Sequence, residues 1–471
     1  MTGLNPAVTK IVDAVSEERI GATMKKLEAF GTRYVLSEQD SPTHGIGAAE
    51  RWIFDEFSSY SPRLQVTLDK FTAKKGQRIA QDVELANVVA VLPGTLDPDR
   101  YVVISSHYDS IAARRGPGTP RTEEESPRGP QEIEPIAPGV SDNASGVAAV
   151  LELARIMSQY QFDKSVIFIA FAAEEVGLVG SSAYAAKARQ QKMEIEAVLN
   201  NDIIGNDIAG NGRSANNRVR LFSEGPEDSP SRSLARYTKE IAERYLPSMT
   251  VDLVFRRDRF GRGGDHTSFN REGYAAVRLT TPSENYANQH TPTDTFANAS
   301  APYATRVTKI NAAVLSSLAL APKPPVVARP RPVGRQGGTN PPASGANTVT
   351  AVAGRTGQGP ATRPMGPGLT RGKSGYDAAL RWEMPKPEPD LAGFAIVIRA
   401  TTSPLWEREI YVGNVTEYTI PDLSIDDVVI GVKAIDKDGN QSLVSAYDLP
   451  APNFPTRPGG GTTPSTTTGG Q

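Results

Sequence analysis

The stretch SVIFIAFAAEE (165–175) joins a run of β-branched and aromatic residues to two adjacent carboxylates, Glu174 and Glu175. An apolar run without polar alternation is typical of a strand that is buried on both faces. Two adjacent carboxylates at the end of such a strand repel each other and are costly to desolvate, and a nearby cation removes that cost. The stretch therefore predicts a buried strand that ends at a cation site.

The strand pattern recurs on both sides of this stretch, in LANVVAVLPG (85–94), YVVISSHYDS (101–110), AVLNNDIIGN (197–206) and, more weakly, YAAVRLT (274–280). Helical patterns occupy residues 146–160, 181–191, 231–246 and 303–320. Strands that alternate with helices predict an α/β domain over residues 1–320, in three layers, with a mostly parallel central sheet flanked by helices. In such folds the functional site lies beyond the carboxyl ends of the strands.

Candidate metal ligands stand at or near these predicted strand ends. They are His107 in SSHYDS, Asp142 in SDNASG, Asp202 in NNDIIGN and His290 in NQHTPTDTF, beside the Glu174–Glu175 pair. Each has a structural alternative when taken alone: an isolated histidine is often a core residue, and an Asp before a helical run is a normal N-cap. Asp109 lies two residues after His107 and could orient its imidazole.

The set of residues favours a zinc site over these separate alternatives. The chain has no cysteine, so any zinc must be bound by histidine nitrogen and carboxylate oxygen. Two zinc ions that lie close together need a shared carboxylate. Two histidines, two terminal carboxylates and one bridging carboxylate would give each ion three protein ligands, and would leave one carboxylate as a base.

Residues 1–320 resemble the secreted bacterial zinc aminopeptidases with two co-catalytic metals. The resemblance rests on motifs in matching order: LEAFGTRY (27–34), SSHYDS (105–110), GVSDNASGVAAVLELAR (139–155), FAAEEVGLVGS (171–181), the Asp of NNDIIG, GGDHTSF (263–269) and QHTPTDT (289–295). It implies two Zn²⁺ ions per chain and a zinc exopeptidase-like fold.

The resemblance also implies a role for each candidate. Asp142 would bridge the metals, His107 and Asp202 would complete one ion, and Glu175 and His290 would complete the other. Glu174 would be the general base toward a metal-bridging water, and the substrate would be a peptide with a free N-terminus, which loses its first residue.

The residue that assists at the scissile carbonyl stays open between two candidates. Some relatives have a Tyr directly before the last His ligand, but here Gln289 stands there and the nearest tyrosine is Tyr286. Others have an Arg directly before the D-H-x-x-F motif, and here Arg262 is displaced by one residue. Asp265, in that motif, would support the metal site, shape the pocket, or be structural.

Three other functions compete with an aminopeptidase. A carboxypeptidase or dipeptidase of this fold needs a positive group for the substrate carboxylate, which Arg262 could supply. A glutaminyl cyclase would use one zinc ion and a different sequence around the bridging Asp. A non-catalytic binding or receptor protein would lack ligands, whereas all five candidates and the base are present.

The rest of the chain changes character three times. Residues 112–139 are a charged, Pro-rich insert, residues 321–373 a Pro/Gly/Arg-rich linker, and residues 451–471 a low-complexity tail. Residues 374–450 contain short alternating runs between turn residues, which predict a small all-β sandwich. Its LRW, LAGFAIVIRA, TEYTIPDL and GVKAIDKDGNQS segments resemble the fibronectin type III domain. This domain could contact a polymer or a cell surface.

Charge and hydropathy exclude some partners. Lys and Arg total 51 and Asp and Glu total 53, so the net charge of −2 argues against nucleic acid or an anionic membrane as the partner. No apolar run is long enough to span a bilayer. The resemblance implies a secreted, extracellular or periplasmic protein, and because no signal peptide is visible at the start we expect that it has been removed.

Overall fold

The structure, a computed structural model, describes residues 3–76, 78–112, 135–327 and 367–447. Its main sheet has eight strands in the order β1-β2-β4-β3-β5-β8-β6-β7. The strands are β1 (Gln65–Ala73), β2 (Val83–Leu92), β3 (Asp97–His107), β4 (Lys164–Phe171), β5 (Glu194–Asn201), β6 (Arg218–Ser223), β7 (Thr250–Val254) and β8 (Ala276–Thr280). The four central strands β4, β3, β5 and β8 are mutually parallel.

Eight α-helices accompany this sheet in the described residues: α1 (Pro6–Asp13), α2 (Glu17–Glu28), α3 (Gly45–Tyr60), α4 (Ser145–Met157), α5 (Val179–Gln190), α6 (Pro230–Tyr245), α7 (His266–Arg271) and α8 (Ala301–Leu320). Alternate residues of β4 belong to different cores. Val166, Phe168 and Ala170 pack with residues of α1, α3, α4 and α8, whereas Ile167, Ile169 and Phe171 pack with α5 and α7. The predicted three-layer α/β fold is therefore confirmed.

Several details of the sheet differ from the predicted pattern. Strand β2 pairs antiparallel with both β1 and β4, although its apolar run resembles that of a parallel strand. Strands β1, β6 and β7 were not predicted at all. Strand β1 has mostly half-buried residues and, like β7, lies at an edge of the sheet, where the periodic apolar signal is weak.

The C-terminal strands form two further sheets. They are β9 (Gly368–Thr370), β10 (Ala378–Arg381), β11 (Leu391–Ala400), β12 (Arg408–Gly413), β13 (Glu417–Ile420), β14 (Val428–Asp436) and β15 (Ser445–Ala446). Three strands follow the order β13-β10-β9 and four follow β12-β11-β14-β15, with antiparallel pairing throughout. Trp382 and Phe394 meet edge to face in the shared core, with ring centroids 5.5 Å apart.

The predicted linker 321–373 is structured at both ends. Val327 packs into the core of the C-terminal sandwich, and Val326 pairs with Glu383. Strand β9 also begins inside the predicted linker. It was not predicted, because three residues among glycines and arginines give no recognisable strand pattern. The remainder of this linker (328–366), most of the predicted insert (113–134) and the tail lie outside the described residues.

The C-terminal sandwich packs directly against α6 and the segment before it. Arg399, fully buried, donates to Asp228 at 2.7 and 2.9 Å, and Arg236 donates to the carbonyl of Pro404 at 2.7 Å. Lys433 lies 3.3 Å from Glu240. The two parts of the chain are therefore joined by partly buried ionic contacts as well as by the connecting segment.

In the described ranges, no helix has the length and apolar character needed to cross a membrane.

Candidate active site

The carboxyl ends of three central strands bring the candidate ligands together. Strand β3 ends at His107, which pairs in register with Phe171 at the end of β4. Glu174 and Glu175 follow β4 after two residues, and Asp202 follows β5 directly. The strand-end prediction therefore places these side chains at one edge of the sheet, where the structure also has them.

One group of three potential ligands consists of His107, Asp142 and Asp202. The Nε2 atom of His107 lies 3.3 Å from Oδ1 of Asp142 and 3.7 Å from Oδ1 of Asp202. All three side chains are buried. The three donor atoms lie within 4.8 Å of one another, a spacing that one metal ion can span.

A second group consists of Asp142, Glu175 and His290, and it shares Asp142 with the first. The Nε2 atom of His290 lies 3.1 Å from Oδ2 of Asp142 and 2.9 Å from Oε2 of Glu175. The two carboxylate oxygens of Asp142 thus face different histidines. Glu174 forms a third group with His107 and Glu175, so all six predicted residues converge on one cluster.

Asp142 is not the N-cap of the following helix, which was the structural alternative. Helix α4 begins at Ser145, its N-cap position is Ala144, and Asp142 has the non-helical dihedral angles φ −118° and ψ 85°. The backbone N–H groups of Ser141 and Asp142 donate to the two carboxylate oxygens of Asp294 at 2.9 and 3.0 Å. Asp294 therefore holds this turn, and leaves the side chain of Asp142 to face the histidines.

Asp109 supports the cluster in two ways. Its backbone carbonyl accepts a hydrogen bond of 3.1 Å from Nδ1 of His107, and its carboxylate lies 3.5 Å from the same nitrogen. The carboxylate also accepts hydrogen bonds of 3.1 Å each from the backbone N–H groups of Glu174 and Glu175. The predicted contact between Asp109 and His107 is present, and Asp109 additionally fixes the backbone of the two glutamates.

The donor set suits zinc. The hydrogen bond from Nδ1 of His107 to the carbonyl of Asp109 leaves Nε2 facing the carboxylates, and this buried atom has no hydrogen-bond partner among the described residues. Burial lowers the pKa of both histidines, but the surrounding carboxylates outweigh it. The pKa of His107 is raised well above its usual value, chiefly by Glu174, and that of His290 is raised to about 9, chiefly by Glu175. The cluster therefore has an excess of negative charge that cations would balance.

Glu174 and Asp265 are carboxyl groups beside the cluster, of which Asp265 is fully buried and Glu174 is half-buried. Burial raises the pKa of Glu174 well above its usual value, against the opposing charge of His107, and the neighbouring Asp202 and Glu175 raise it further. Burial likewise raises the pKa of Asp265 to about 7. Asp265 precedes α7, and His266 beside it donates from Nε2 to the carbonyl of Arg257 at 2.8 Å. His266 therefore has a structural role, and it belongs to none of the metal-ligand groups found among the described residues.

The cluster opens into a pocket of about 350 Å³. Among the described residues, its lining includes Glu174, four of the proposed ligands, Arg262 and four other arginines, but not Tyr286. Of the two candidates for assistance at the scissile carbonyl, Arg262 therefore has access to the pocket. Its role stays a prediction.

Sequence reasoning missed a buried ionic network behind Asp202. Arg278, in β8, is fully buried, lies 3.2 Å from Asp202 and contacts Asp258 at 2.8 Å. Arg259 contacts Asp258 at 3.4 Å and also pairs with Glu284. The available signal was a single arginine inside the apolar run YAAVRLT, where an unpaired charge would be costly.

Arg33, in the LEAFGTRY motif, is a second residue whose role was missed. It is fully buried, and burial lowers its pKa to about 10. Its guanidinium donates to the carbonyls of Tyr108, Pro138 and Gly139 at 2.7, 2.6 and 2.8 Å. Arg33 therefore joins the segment after β3 to the turn that bears Asp142.

Comparison with known proteins gives the family of the chain and its class of enzyme. A family model described as Peptidase family M28 matches residues 87–315. A "Probable zinc metalloprotease" of Pyricularia oryzae is 34% identical over 91% of this chain and 82% of its own length. Another of that name from Pyrenophora tritici-repentis is 32% identical over 92% of this chain and 95% of its own length. The chain is thus a zinc-dependent metallopeptidase. It belongs to peptidase family M28.

The solved structures show the same fold at lower identity. LapB from Legionella pneumophila has a TM-score of 0.51 and 20% identity, over 68% of this chain and 76% of that chain. LapA from the same organism has a TM-score of 0.50 and 20% identity, over 68% of this chain and 78% of that chain. The relatives named above are fungal. The predicted resemblance to bacterial enzymes is therefore supported only by the fold that the chain shares with the Legionella structures.

Proposed function

We propose that this metallopeptidase is a two-zinc aminopeptidase. The observation that carries the proposal is the position of Asp142, whose Oδ1 faces His107 at 3.3 Å and whose Oδ2 faces His290 at 3.1 Å. A carboxylate shared between two three-residue groups is the arrangement that two neighbouring metal ions require. His107, Asp142 and Asp202 would hold one zinc ion, and Asp142, Glu175 and His290 the other.

When bound, the zinc ions would supply an acidified water and a Lewis acid for the scissile carbonyl. Glu174 would act as general base: its carboxylate takes a proton from the attacking water and later passes that proton to the leaving amine. Asp109 would keep Glu174 in place, because it holds the backbone N–H groups of both glutamates. Asp109 would also fix the ring of His107 through Nδ1.

The pocket supports removal of a terminal residue. A volume of about 350 Å³ is at the small end of ligand pockets and suits one or two amino-acid residues. The carboxylates of Glu174 and Glu175, which line the pocket beside the proposed zinc sites, would attract a free α-amino group. An internal peptide segment would have to extend in both directions from the scissile bond, and the pocket favours a chain end.

Paired substrates test this function. Leucine-p-nitroanilide has a free amino group, and its N-acetyl derivative differs only in that group. The zinc-loaded protein is expected to hydrolyse the first at least about 100-fold faster, because the amino group contributes to orientation at the reacting bond. Equal rates would contradict aminopeptidase specificity. Release of C-terminal residues from N-acetylated peptides, followed by mass spectrometry, would indicate a carboxypeptidase instead.

Two further proposals concern the rest of the chain. The arrangement of three and four antiparallel strands supports a fibronectin type III-like assignment for the C-terminal sandwich, which would contact a polymer or a cell surface. We also propose that the protein acts outside the cytosol, as the resemblance implies. Fractionation of expressing cells into medium, envelope and cytosol tests the location, and pull-down on cell-wall polymer with the intact chain tests the contact.

A further inference from the structure

One irregular segment between β7 and α7 forms part of the wall of the active-site pocket. This wall segment, residues 255–263, contributes five of the residues that line the pocket, namely Arg257, Arg259, Gly261, Arg262 and Gly263. The buried pair of Asp258 with Arg278 anchors its middle. Because an irregular segment has no ladder of backbone hydrogen bonds to fix it, its position depends on contacts of this kind with the rest of the protein.

The first residues of the wall segment are held from α6 and the residues before it. Arg232 donates to the carbonyl of Phe255 at 3.1 Å, and its guanidinium lies over the Phe255 ring, 4.9 Å from the centroid. The guanidinium of Arg236 lies over the same ring at 5.1 Å. Arg257 donates to Glu224, just before α6, at 2.8 Å. The start of the wall segment therefore follows the position of α6.

Arg236 also contacts the C-terminal sandwich. Its Nε donates to the carbonyl of Pro404 at 2.7 Å, and its guanidinium pairs with Glu227 and, at 3.3 Å, with Asp228. Asp228 in turn accepts hydrogen bonds of 2.7 and 2.9 Å from the buried Arg399 of the sandwich. One buried guanidinium, that of Arg236, thus touches the sandwich, the residues before α6 and the wall segment.

Further contacts fix the sandwich against the α/β domain. Leu443, between β14 and β15, belongs to the hydrophobic core of the α/β domain. Ser233 of α6 donates to the carbonyl of Val444 at 3.0 Å, and Asn5, at the start of α1, donates to the side chain of Asn440 at 3.0 Å. Contacts at α1 and at α6 hold the sandwich in one orientation, which it needs if it is to position a distant segment.

We propose that the sandwich is a positioning element of the active-site pocket, and that Arg236 is the positioning residue through which it acts. The sandwich holds Arg236 against Phe255 and so keeps the wall segment at the pocket. The proposed zinc ligands are supported separately, by Asp109 and Asp294. Loss of the Arg236 contact should therefore weaken substrate binding and leave zinc binding unchanged. The proposal rests on the proposed aminopeptidase function where its kinetic test uses an aminopeptidase substrate.

Limited proteolysis tests the position of the wall segment without relying on turnover. Trypsin cleaves after arginine, so the rate of cleavage after Arg256 and Arg257 reports how often this segment leaves its place. Cleavage after Arg213, at an exposed position of the same domain, provides a reference within each sample. The experiment uses the intact, zinc-loaded chain, and mass spectrometry identifies the sites of cleavage.

Two variants break the contact on either side of the interface. Arg236→Gln removes the guanidinium that lies over Phe255, and Arg399→Met removes the pair between the sandwich and Asp228. In both variants, cleavage of the wall segment relative to the reference is expected to rise at least about threefold, as for loss of a cation–π contact or of a hydrogen bond to a charged group. An unchanged ratio in Arg399→Met would overturn the proposal, since the wall segment would then not depend on the sandwich.

Arg244→Gln is the matched control, and Phe255→Leu tests the contact from the other side. Arg244 is exposed on the same helix and pairs with Glu240, so its loss is expected to leave the ratio within about twofold of the wild type. An equal rise in this control would overturn the assignment to Arg236. Phe255 is half-buried, and leucine keeps its apolar character without the ring, so this variant is expected to fold and to raise the ratio at least about twofold.

Kinetics with leucine-p-nitroanilide connect the wall segment to the reaction. Arg236→Gln is expected to raise KM at least about threefold, with kcat within about twofold of the wild type and zinc content unchanged, which is the pattern for lost substrate binding. A KM within about twofold of the wild type would overturn the proposal. If the wild type hydrolysed no substrate with a free amino group, the aminopeptidase function would fail, whereas the proteolysis ratios would still decide whether the sandwich positions the wall segment.

Discussion

The backbone N–H of Asp142 donates a hydrogen bond of 3.0 Å to the carboxylate of Asp294, which lies 152 positions further along the chain. The other oxygen of that carboxylate accepts from Ser141 at 2.9 Å. Asp294 follows the loop of His290, so one short segment contributes both a proposed zinc ligand and the support for the shared carboxylate. This relationship makes Asp294 a positioning residue for both proposed zinc ions.

Replacement of Asp294 is expected to weaken zinc binding. Asp294→Ala removes both acceptors and should lower zinc affinity about 10–100-fold, as is typical when a group that orients a metal ligand is lost. Asp294→Asn keeps one acceptor oxygen and should cause a smaller loss. Competition with a chelating dye measures the affinity, with the exposed Asp99→Asn as a control. Wild-type affinity in Asp294→Ala would show that the turn is held by other contacts.

The buried arginine behind Asp202 is expected to matter for stability. Arg278→Met leaves Asp258 without its closest cation in a fully buried position, which should cost about 3–5 kcal/mol in the free energy of unfolding. Arg278→Lys keeps the charge and should cost less. Urea unfolding of the metal-free protein measures both variants. If the Met variant were as stable as the wild type, the ion pair would have no net stabilising role.

Asp163 gives the protein a pH-dependent stability at the contact between its two parts. Burial, with the charges of Asp390 and Asp436 adding to it, raises the pKa of Asp163 from 3.8 to about 6. The folded state therefore binds this proton more tightly than the unfolded state, and the associated stability is present below pH 4 and lost as the pH rises through 6.

Asp163→Asn should therefore stabilise the protein at pH 8 and have little effect at pH 4. We expect a gain of at most about 1 kcal/mol, because Asp163 is only half-buried and solvent screens its charge. Thermal unfolding at the two pH values measures the difference. A gain of the same size at both would exclude titration of Asp163 as its cause.

The contact between Arg399 and Asp228 is expected to couple the C-terminal sandwich to the α/β domain. Arg399→Met and Asp228→Asn each break this pair, so the double variant should lose less stability than the sum of the two single variants. The expected coupling is about 1–3 kcal/mol, measured by denaturant unfolding in a double-mutant cycle. Strict additivity would show that the pair contributes nothing across this contact.

The fold was largely predictable because the sequence of strand β4 has an unusually clear apolar pattern. Its unbroken apolar run specifies burial on both faces, and Phe168 and Ile169 indeed belong to different cores. The direction of β2 could not be predicted, because a buried apolar strand has the same composition in parallel and antiparallel pairing. The ends of the predicted linker were misplaced for a related reason: Val326 and Val327 are only two adjacent apolar residues, and the core into which Val327 packs is formed mainly by residues 378–434.

The site was predictable where each residue follows a strand end, as His107 and Asp202 do. It was less predictable where the supporting contacts span long distances in sequence. Nothing local indicates that Asp294 holds Asp142, or that Arg278 in an apolar strand lies beside Asp202. The arginine-rich pocket was also missed as a whole, since Arg78 and Arg271 come from separate parts of the chain and meet only in the folded protein.

The most direct test of the two-zinc account is zinc content per chain, measured by mass spectrometry together with hydrolysis of leucine-p-nitroanilide, for the wild type, Glu174→Gln and Asp142→Ala. The account predicts about two zinc ions in the wild type and in Glu174→Gln, with a rate at least about 100-fold lower in that variant, and fewer than two in Asp142→Ala. One zinc ion in the metal-replete wild type, or wild-type hydrolysis by Glu174→Gln, would contradict it.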